Sequence, residues 1–366
     1  MLMKQKHIIL LLTTLLVACN GGVKTIDTTS QLQDILRQVG ASSNVLFGQH
    51  DATLYGHSWC GERGRSDCHD ITNDYPAVIS FDLGHIESGD SVNIDGIPFR
   101  LIRQAIIDHH TEGGILSISW HPRNFVTGGD SWDTSCDSVV RAILPTGSRH
   151  QQFTQALDNI VAFVASLRAQ TATPIPVLFR PWHEQNGTWF WWGATGCTPE
   201  EYKALYRFTH DYLAARLPQQ LLWTYSPNLG INDSTYMLYY PGNEYVDLLG
   251  VDCYHFNNET PDTYQYNLCQ CLETLTHAGS LTDKPIALTE TGLESCQIPD
   301  WWTQVLLPVL QRYPLSYVLL WRNAYDNDTH YYVPFLGDTS ADDFHAFYLD
   351  SHTIFLEQLK RLIENE

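Results

Sequence analysis

The sequence predicts an α/β fold in a single domain, a (β/α)8 TIM barrel. Three observations carry that prediction. Eight short apolar runs recur along the 366 residues. Amphipathic helical patterns separate them, the alternation that a parallel barrel requires. No G-x-G-x-x-G follows the first run, which counts against the alternative, a doubly wound sheet.

The elements follow in chain order. Lys4 and Lys6 precede the apolar run Ile8–Val17, which is too short to cross a bilayer. It closes in Leu16-Val17-Ala18-Cys19, which resembles a bacterial lipoprotein signal. Residues 1–18 are therefore expected to be a signal peptide cut before a lipidated Cys19, with a plain secretory signal as the alternative. Residues 19–28 are expected to be a tether and 29–366 the barrel domain. Ser30 is expected to start the first helix, with Gln33 completing a capping box and the end near Gly40. The candidate strands are Val45–Gln49, Ala77–Asp82, Ile115–His121, Pro176–Arg180, Gln220–Tyr225, Val246–Tyr254, Pro285–Thr289 and Tyr317–Trp321. Each is apolar on successive positions, as strands buried on both faces are. Phe153, Leu157, Ile160, Val161, Val164 and Leu167 keep helical spacing. Thr198 caps the next helix, with Pro199 at its first position and Glu201 closing a capping box. Thr260-Pro261 begin another, expected to stop at Gly279. From Asp342 to Leu362, Phe344, Phe347, Phe355, Leu359 and Leu362 fall on helical faces.

Composition narrows the function. The formal net charge of −20 would repel nucleic acid and leaves a neutral substrate open. Aromatic residues make up 12% and cluster with polar groups, as in Trp189-Phe190-Trp191-Trp192. Flat rings beside fixed hydrogen-bond partners suit the apolar faces and hydroxyl rims of sugars. Besides Cys19, cysteines stand at 60, 68, 136, 197, 253, 269, 271 and 296. Export would allow them to oxidise, and Cys60–Cys68 is the candidate bridge. Cys269 and Cys271 share a helix but face different ways, so they should not pair. A zinc site is the runner-up, but the chain has no pair of CxxC elements and no HExxH. No metal is expected.

In such a barrel the active site lies at the C-terminal ends of the strands. Here those ends are polar: Gln49-His50-Asp51, Asp82, His121, Arg180 through Asn186, Asp252 to His255, Glu290 and Trp321-Arg322-Asn323. Glu184 follows the fourth strand and Glu290 the seventh, on opposite sides of the barrel. A retaining glycosidase needs two such carboxyl groups about 5–5.5 Å apart. Glu184 would have to hold a proton near neutral pH, with Trp182, Trp189, Trp191 and Trp192 as candidate apolar neighbours. Glu290 would have to stay ionised, with Arg180, Tyr254 and His183 as candidate partners. Singly, Glu184 could be a surface residue, Glu290 a helix-cap partner and Arg322 a buried ion-pair partner.

Arg180-Pro-Trp-His-Glu-Gln-Asn-Gly-Thr-Trp-Phe-Trp-Trp-Gly193 resembles the acid/base segment of glycoside hydrolase family 26, chiefly β-1,4-mannanases. Thr-Glu-Thr-Gly at 289–292 resembles the nucleophile segment, and Gly-Val-Asp-Cys-Tyr at 250–254 and Trp-Arg-Asn-Ala at 321–324 follow in the family's order. The likeness runs from about Leu46 to Tyr348, with Trp182 where the family pattern has Tyr. It implies Glu184 as acid/base and Glu290 as nucleophile. His183 would line the −1 subsite and orient the catalytic groups, His121 would contact the sugar, and Tyr254 would hydrogen-bond the nucleophile. Trp189 and Trp321 would stack on sugars, Trp189 toward the leaving group, and Arg322 would reach a sugar at −2. His57–Asp70 would be a cleft-shaping insertion.

The leading expectation is a retaining β-mannanase acting on mannan, galactomannan or glucomannan, in endo or exo mode, without a cofactor. It would be a monomer, exported and lipid-anchored at the outer membrane, touching the membrane through its lipid alone. One alternative keeps the barrel and changes the glycan to mixed-linkage β-glucan or β-1,3-xylan. Another is a surface glycan-binding lipoprotein without catalysis, against which the paired carboxylates speak.

Overall fold

The computed structural model describes residues 23–364. Eight parallel strands close into a barrel: β1 (Val45–His50), β2 (Val78–Asp82), β3 (Ile115–Trp120), β4 (Val177–Pro181), β5 (Leu221–Tyr225), β6 (Leu248–Asp252), β7 (Ile286–Thr291) and β8 (Leu315–Leu320). Each pairs with the next, and β8 closes on β1 with Leu46 opposite Tyr317. The strands are buried along their whole lengths, as continuous apolar runs demand. Expected boundaries shift by a residue or two. The sixth run is longer than its strand, and the eighth strand starts earlier, at Leu315.

The base of the barrel, where the strands begin, is an apolar plug. Leu46, Val78, Ile115, Leu178, Leu222, Leu248, Ala287 and Tyr317, one from each strand, form a buried cluster with helix α1 (Thr29–Ala41). Leu32, Ile35, Leu36 and Val39 supply the helix face. Burying each such side chain stabilises the fold by about 1.5–3 kcal/mol. The α1 cap differs from expectation. Thr28, not Ser30, is the N-cap, and its capping-box partner is Gln31, not Gln33. Both pairs fit the S/T-x-x-Q pattern, and the packed face decides between them.

Residues 23–28, expected to be tether, are packed in the structure. Ile26 is buried, its carbonyl oxygen lies 3.0 Å from His110 Nε2, and Lys24 Nζ donates to the Glu364 carbonyl at 3.1 Å. Residues 1–18 and Cys19 lie outside the described residues. Among the described residues, no helix is long and apolar enough to cross a membrane.

Around the barrel run α2 (Phe99–Thr111), α3 (His150–Ala165), α4 (Pro199–Ala214) and α5 (Pro261–Thr282). The box at Thr198 and Glu201 forms as expected, with the Glu201 carboxylate accepting from Thr198 N at 2.8 Å. Helix α5 passes Gly279 and ends at Asp283, which takes the left-handed conformation. The expected C-terminal helical stretch is two helices, α6 (Ala341–Leu349) and α7 (Leu356–Glu364). Between them Thr353–Ile354 pair with Val45–Leu46, a long-range contact that interrupts the helix.

The expected Cys60–Cys68 bridge is absent, and all eight cysteines among the described residues are free thiols. Cys60 is exposed on a short hairpin, whereas Cys68 sits in the helix Asp67–Thr72 with its sulfur 3.7 Å from the Asp74 carbonyl oxygen. Cys269 and Cys271 share α5 without bridging. The segment 57–70 packs against the loop after β8 rather than lining the cleft. His57 stacks on Phe335 at 3.7 Å, and Asp67 accepts from Asn323 Nδ2 at 2.7 Å.

Candidate active site

The chain leaves β4 through two left-handed residues, Trp182 (φ 57°) and Glu184 (φ 54°). Such backbone costs about 1–3 kcal/mol per non-glycine residue and persists where surrounding contacts hold it. Those contacts are visible. Trp182 is buried against Trp120, Trp191 and Trp192, and its Nε1 donates to Thr209 Oγ1 at 3.1 Å. Glu184 N donates to the Ser226 carbonyl at 2.8 Å. The kink delivers the Glu184 carboxylate to the cleft, where Trp189 Nε1 donates to its Oε2 at 2.8 Å.

On the opposite side, β7 carries one extra residue relative to both neighbours. Val251 faces Leu288 while Asp252 faces Glu290, and Val318 faces Leu288 while Leu320 faces Thr291. A bulge of this kind redirects the next side chain. Thr289 Oγ1 anchors it by donating to Asp252 Oδ1 at 2.6 Å. Glu290 then meets a set of fixed donors. Tyr254 OH donates to Oε2 at 2.8 Å, and Arg180 Nη2 donates to Oε1. Arg180 Nη1 donates to Asp252 Oδ2 at 2.9 Å, so one buried guanidinium joins two carboxylates.

One carboxylate oxygen from each of Glu184, Asp252 and Glu290 lies within 4.8 Å of the others. So close an oxygen-to-oxygen approach suits a nucleophile and an acid/base, whose carboxyl groups stand about 5–5.5 Å apart. Their surroundings differ. Burial, and then the nearby Glu290 charge, push the Glu184 carboxyl up to about 7. Burial works against the charge of Arg180, but Asp252 and Glu290 hold its proton more firmly than usual. The arrangement keeps one carboxyl protonated near neutrality and supplies the other with a permanent counter-charge. Three clustered carboxylates can also hold a metal ion, but here the Arg180 guanidinium already takes the position of counter-ion to Asp252 and Glu290.

Two histidines complete the floor. His183 Nε2 lies 4.0 Å from Glu290 Oε1 and 3.1 Å from His121 Nε2. His121 Nδ1 lies 2.6 Å from Asp82 Oδ2. Burial lowers the basicity of His121, but the Asp82 carboxylate more than reverses this. Burial, with Arg180 nearby, drives His183 well below the usual range, so it is neutral.

The cleft, about 280 Å³, brings together His121, His183, Glu184, Trp189, Tyr254, Glu290 and Trp321, all singled out in the sequence. Trp321 stacks one face on His50 at 4.3 Å. Arg322 is not part of the lining. It pairs with Asp95 at 3.3 Å and lies over the Tyr55 ring. Trp182, Trp191 and Trp192, expected to surround Glu184, form the core behind it, and Trp189 alone of the four faces the cleft. Sequence reasoning missed Trp132, Phe256, Glu294 and Tyr332, which also line it. Trp132 is 49% exposed with its ring parallel to His121 at 5.7 Å, and Phe256 is 50% exposed. The available signal was a large aromatic inside a polar loop, as in Gly-Gly-Asp-Ser-Trp132-Asp.

Known proteins resemble this chain in sequence and fold. A family model for glycosyl hydrolase family 26 matches residues 23–347. A GH26 β-mannanase from Bacteroides ovatus is 43% identical, superposes with a TM-score of 0.88, and is matched over 92% of this chain and 98% of its own. A modular endo-β-1,4-mannanase from Cellulomonas fimi is 31% identical with a TM-score of 0.81, over 92% of this chain and 77% of its own. A mannan endo-1,4-β-mannosidase from Bifidobacterium adolescentis is 31% identical over 87% of this chain. The chain spans only 34% of that relative's length.

Proposed function

The chain belongs to glycosyl hydrolase family 26, and from that membership we propose that it hydrolyses β-1,4-mannosidic linkages with retention of configuration. The observation that carries this reading is the Glu184–Glu290 pair, with oxygens within 4.8 Å and with unequal proton affinities. The family's β-mannanases from Bacteroides ovatus and Cellulomonas fimi support mannan as the substrate.

In the first step a Glu290 oxygen attacks the anomeric carbon. The glycosidic bond breaks, and the Glu184 proton goes to the leaving oxygen. In the second, Glu184 takes a proton from water, the water oxygen bonds to the anomeric carbon, and the ester to Glu290 breaks. Arg180 and Tyr254 hold the attacking carboxylate in place. Trp189, bonded to Glu184, faces the leaving group, and Trp321 is a platform for the sugar on the other side. His121 and His183 lie beneath the reacting ring. Arg322, held by Asp95, borders the −2 position. The Leu16-Val17-Ala18-Cys19 signal supports an exported protein, anchored at the outer membrane by lipid on Cys19.

The test is proton NMR of galactomannan or mannohexaose during hydrolysis. The first-formed reducing ends should be β-anomers, later mutarotating. First-formed α-anomers would overturn the double displacement, and no product from any mannan would overturn the assignment.

A further inference from the structure

The two ends of the barrel differ in how close they lie to Lys24, which follows Cys19 by five residues in the sequence. Lys24 is fixed at the base: its Nζ donates to the carbonyls of Ile363 and Glu364, at 3.4 and 3.1 Å. Val23 and the Lys24 carbonyl lie over Gly113, where an added Cβ would stand 3.2 Å from Lys24 O and 3.4 Å from Val23 Cγ1. Gly113 lies two residues before β3, on the face opposite the cleft. Ile26, next along the same strap, is buried in the base cluster.

We infer that the barrel stands on the membrane by this base, with the cleft facing away from the bilayer. The inference rests on the proposed lipidation of Cys19 and adds to it an orientation and a contact face. Five peptide steps separate Cys19 from Lys24, a reach of about 17 Å at full extension. The cleft lies beyond strands of up to six residues, about 20 Å long, and beyond the loops above them. A leash that short, fixed at the base, holds the base against the lipid and the mouth away from it.

The surface of the base fits that role. Val23, Leu281 and Leu349, 42%, 66% and 67% exposed, all lie at this end: beside Gly113, at the end of α5 just before β7, and at the end of α6 just before Thr353 pairs with the start of β1. Lys24, Lys284 and Lys360 lie at the same end, interleaved with Glu112, Asp283 and Glu357. Exposed apolar side chains suit the headgroup boundary of a bilayer.

The experiment uses the full chain, purified from the membrane fraction of an expressing bacterium and reconstituted into vesicles containing anionic lipid. Ser42 and its exposed neighbour Ser43 precede β1 at the base, and Asn258 lies on an exposed loop at the mouth. In a Cys60→Ser, Cys136→Ser background, a donor dye is attached after Ser43→Cys or after Asn258→Cys. Energy transfer to acceptor-labelled lipid headgroups is then measured. Transfer should be several-fold stronger from the base, and a Gly/Ser spacer of about twenty residues after Gly22 should reduce that difference. Equal transfer, or stronger transfer from the mouth, would overturn the orientation while leaving the anchor intact. A soluble protein with no acyl mass on Cys19 would remove the anchor itself, and this inference with it.

Discussion

At the base, the eight strand starts bury apolar side chains against α1, and the helix begins with a fully formed capping box. At the mouth, the same strands end in buried charges, and left-handed residues follow them, as Gln219 and Asp283 precede strands at the base. Asp51, His85, Trp182 and Glu184 take left-handed φ there. Gln49 Oε1, His50 Nδ1, Asp51 Oδ1, His183 Nδ1 and Gln185 Oε1 are buried there without a protein partner. One end is built for stability. The other holds buried charge and polarity whose desolvation the base must offset. Substitutions at the two ends should therefore separate activity from stability.

Glu290→Ala should test this most sharply. It should reduce turnover of mannan by about four orders of magnitude or more, the scale seen when a nucleophile is removed, while the circular dichroism spectrum stays native. Near-wild-type turnover would sink the mechanism. Glu184→Ala should lower kcat on mannan by about 10²–10⁴-fold, the usual worth of a general acid. An activated aryl mannoside, whose leaving group needs little protonation, should lose far less in its glycosylation step. Equal losses would argue against the acid role.

At the base, Leu36→Ala should cost about 2–5 kcal/mol in urea unfolding and leave kcat per folded molecule unchanged. A matching loss of kcat would break the division of labour.

Glu184→Gln links the two ends through pH. The folded carboxyl is raised to about 7 from the 4.5 usual for a glutamate. Its protonation therefore favours the fold at low pH, and that contribution is lost as pH rises from about 4.5 through about 7. Relative to wild type, the glutamine variant should gain stability over that window, on the order of 3 kcal/mol above it. Parallel Tm-versus-pH curves for the two proteins would contradict the assignment. The smallest effect should be Thr28→Ala, about 1 kcal/mol from the lost cap. If Ser30→Ala cost more, the observed cap would be wrong.

Much of this was legible in the sequence. Buried parallel strands announce themselves as unbroken apolar runs, and polar residues at their ends stand out against them. That contrast located Glu184, Glu290, His121, Tyr254 and Trp321 in one cleft. Caps marked by proline at the first helical turn, Thr198-Pro199 and Thr260-Pro261, were also readable. The α1 cap was not, because two overlapping Thr/Ser–Gln pairs satisfy the same local rule. The break between α6 and α7 depends on Thr353 pairing with Val45, about three hundred residues away. The cleft walls depend on loops meeting in space, so Trp132 and Tyr332 carried little local signal. Trp182, Trp191 and Trp192 could not be told from Trp189 without knowing which way the kinked backbone turns each ring.

In the proposed double displacement, the closeness of the two glutamates has a further effect once a sugar is attached. As an ester, Glu290 no longer carries the negative charge that helps keep its neighbour protonated. The Glu184 carboxyl, having just given up its proton, then faces an uncharged group and becomes easier to keep ionised. The bond that stores the half-finished reaction thus resets the partner for the water that ends it, and the cycle keeps time without any moving part.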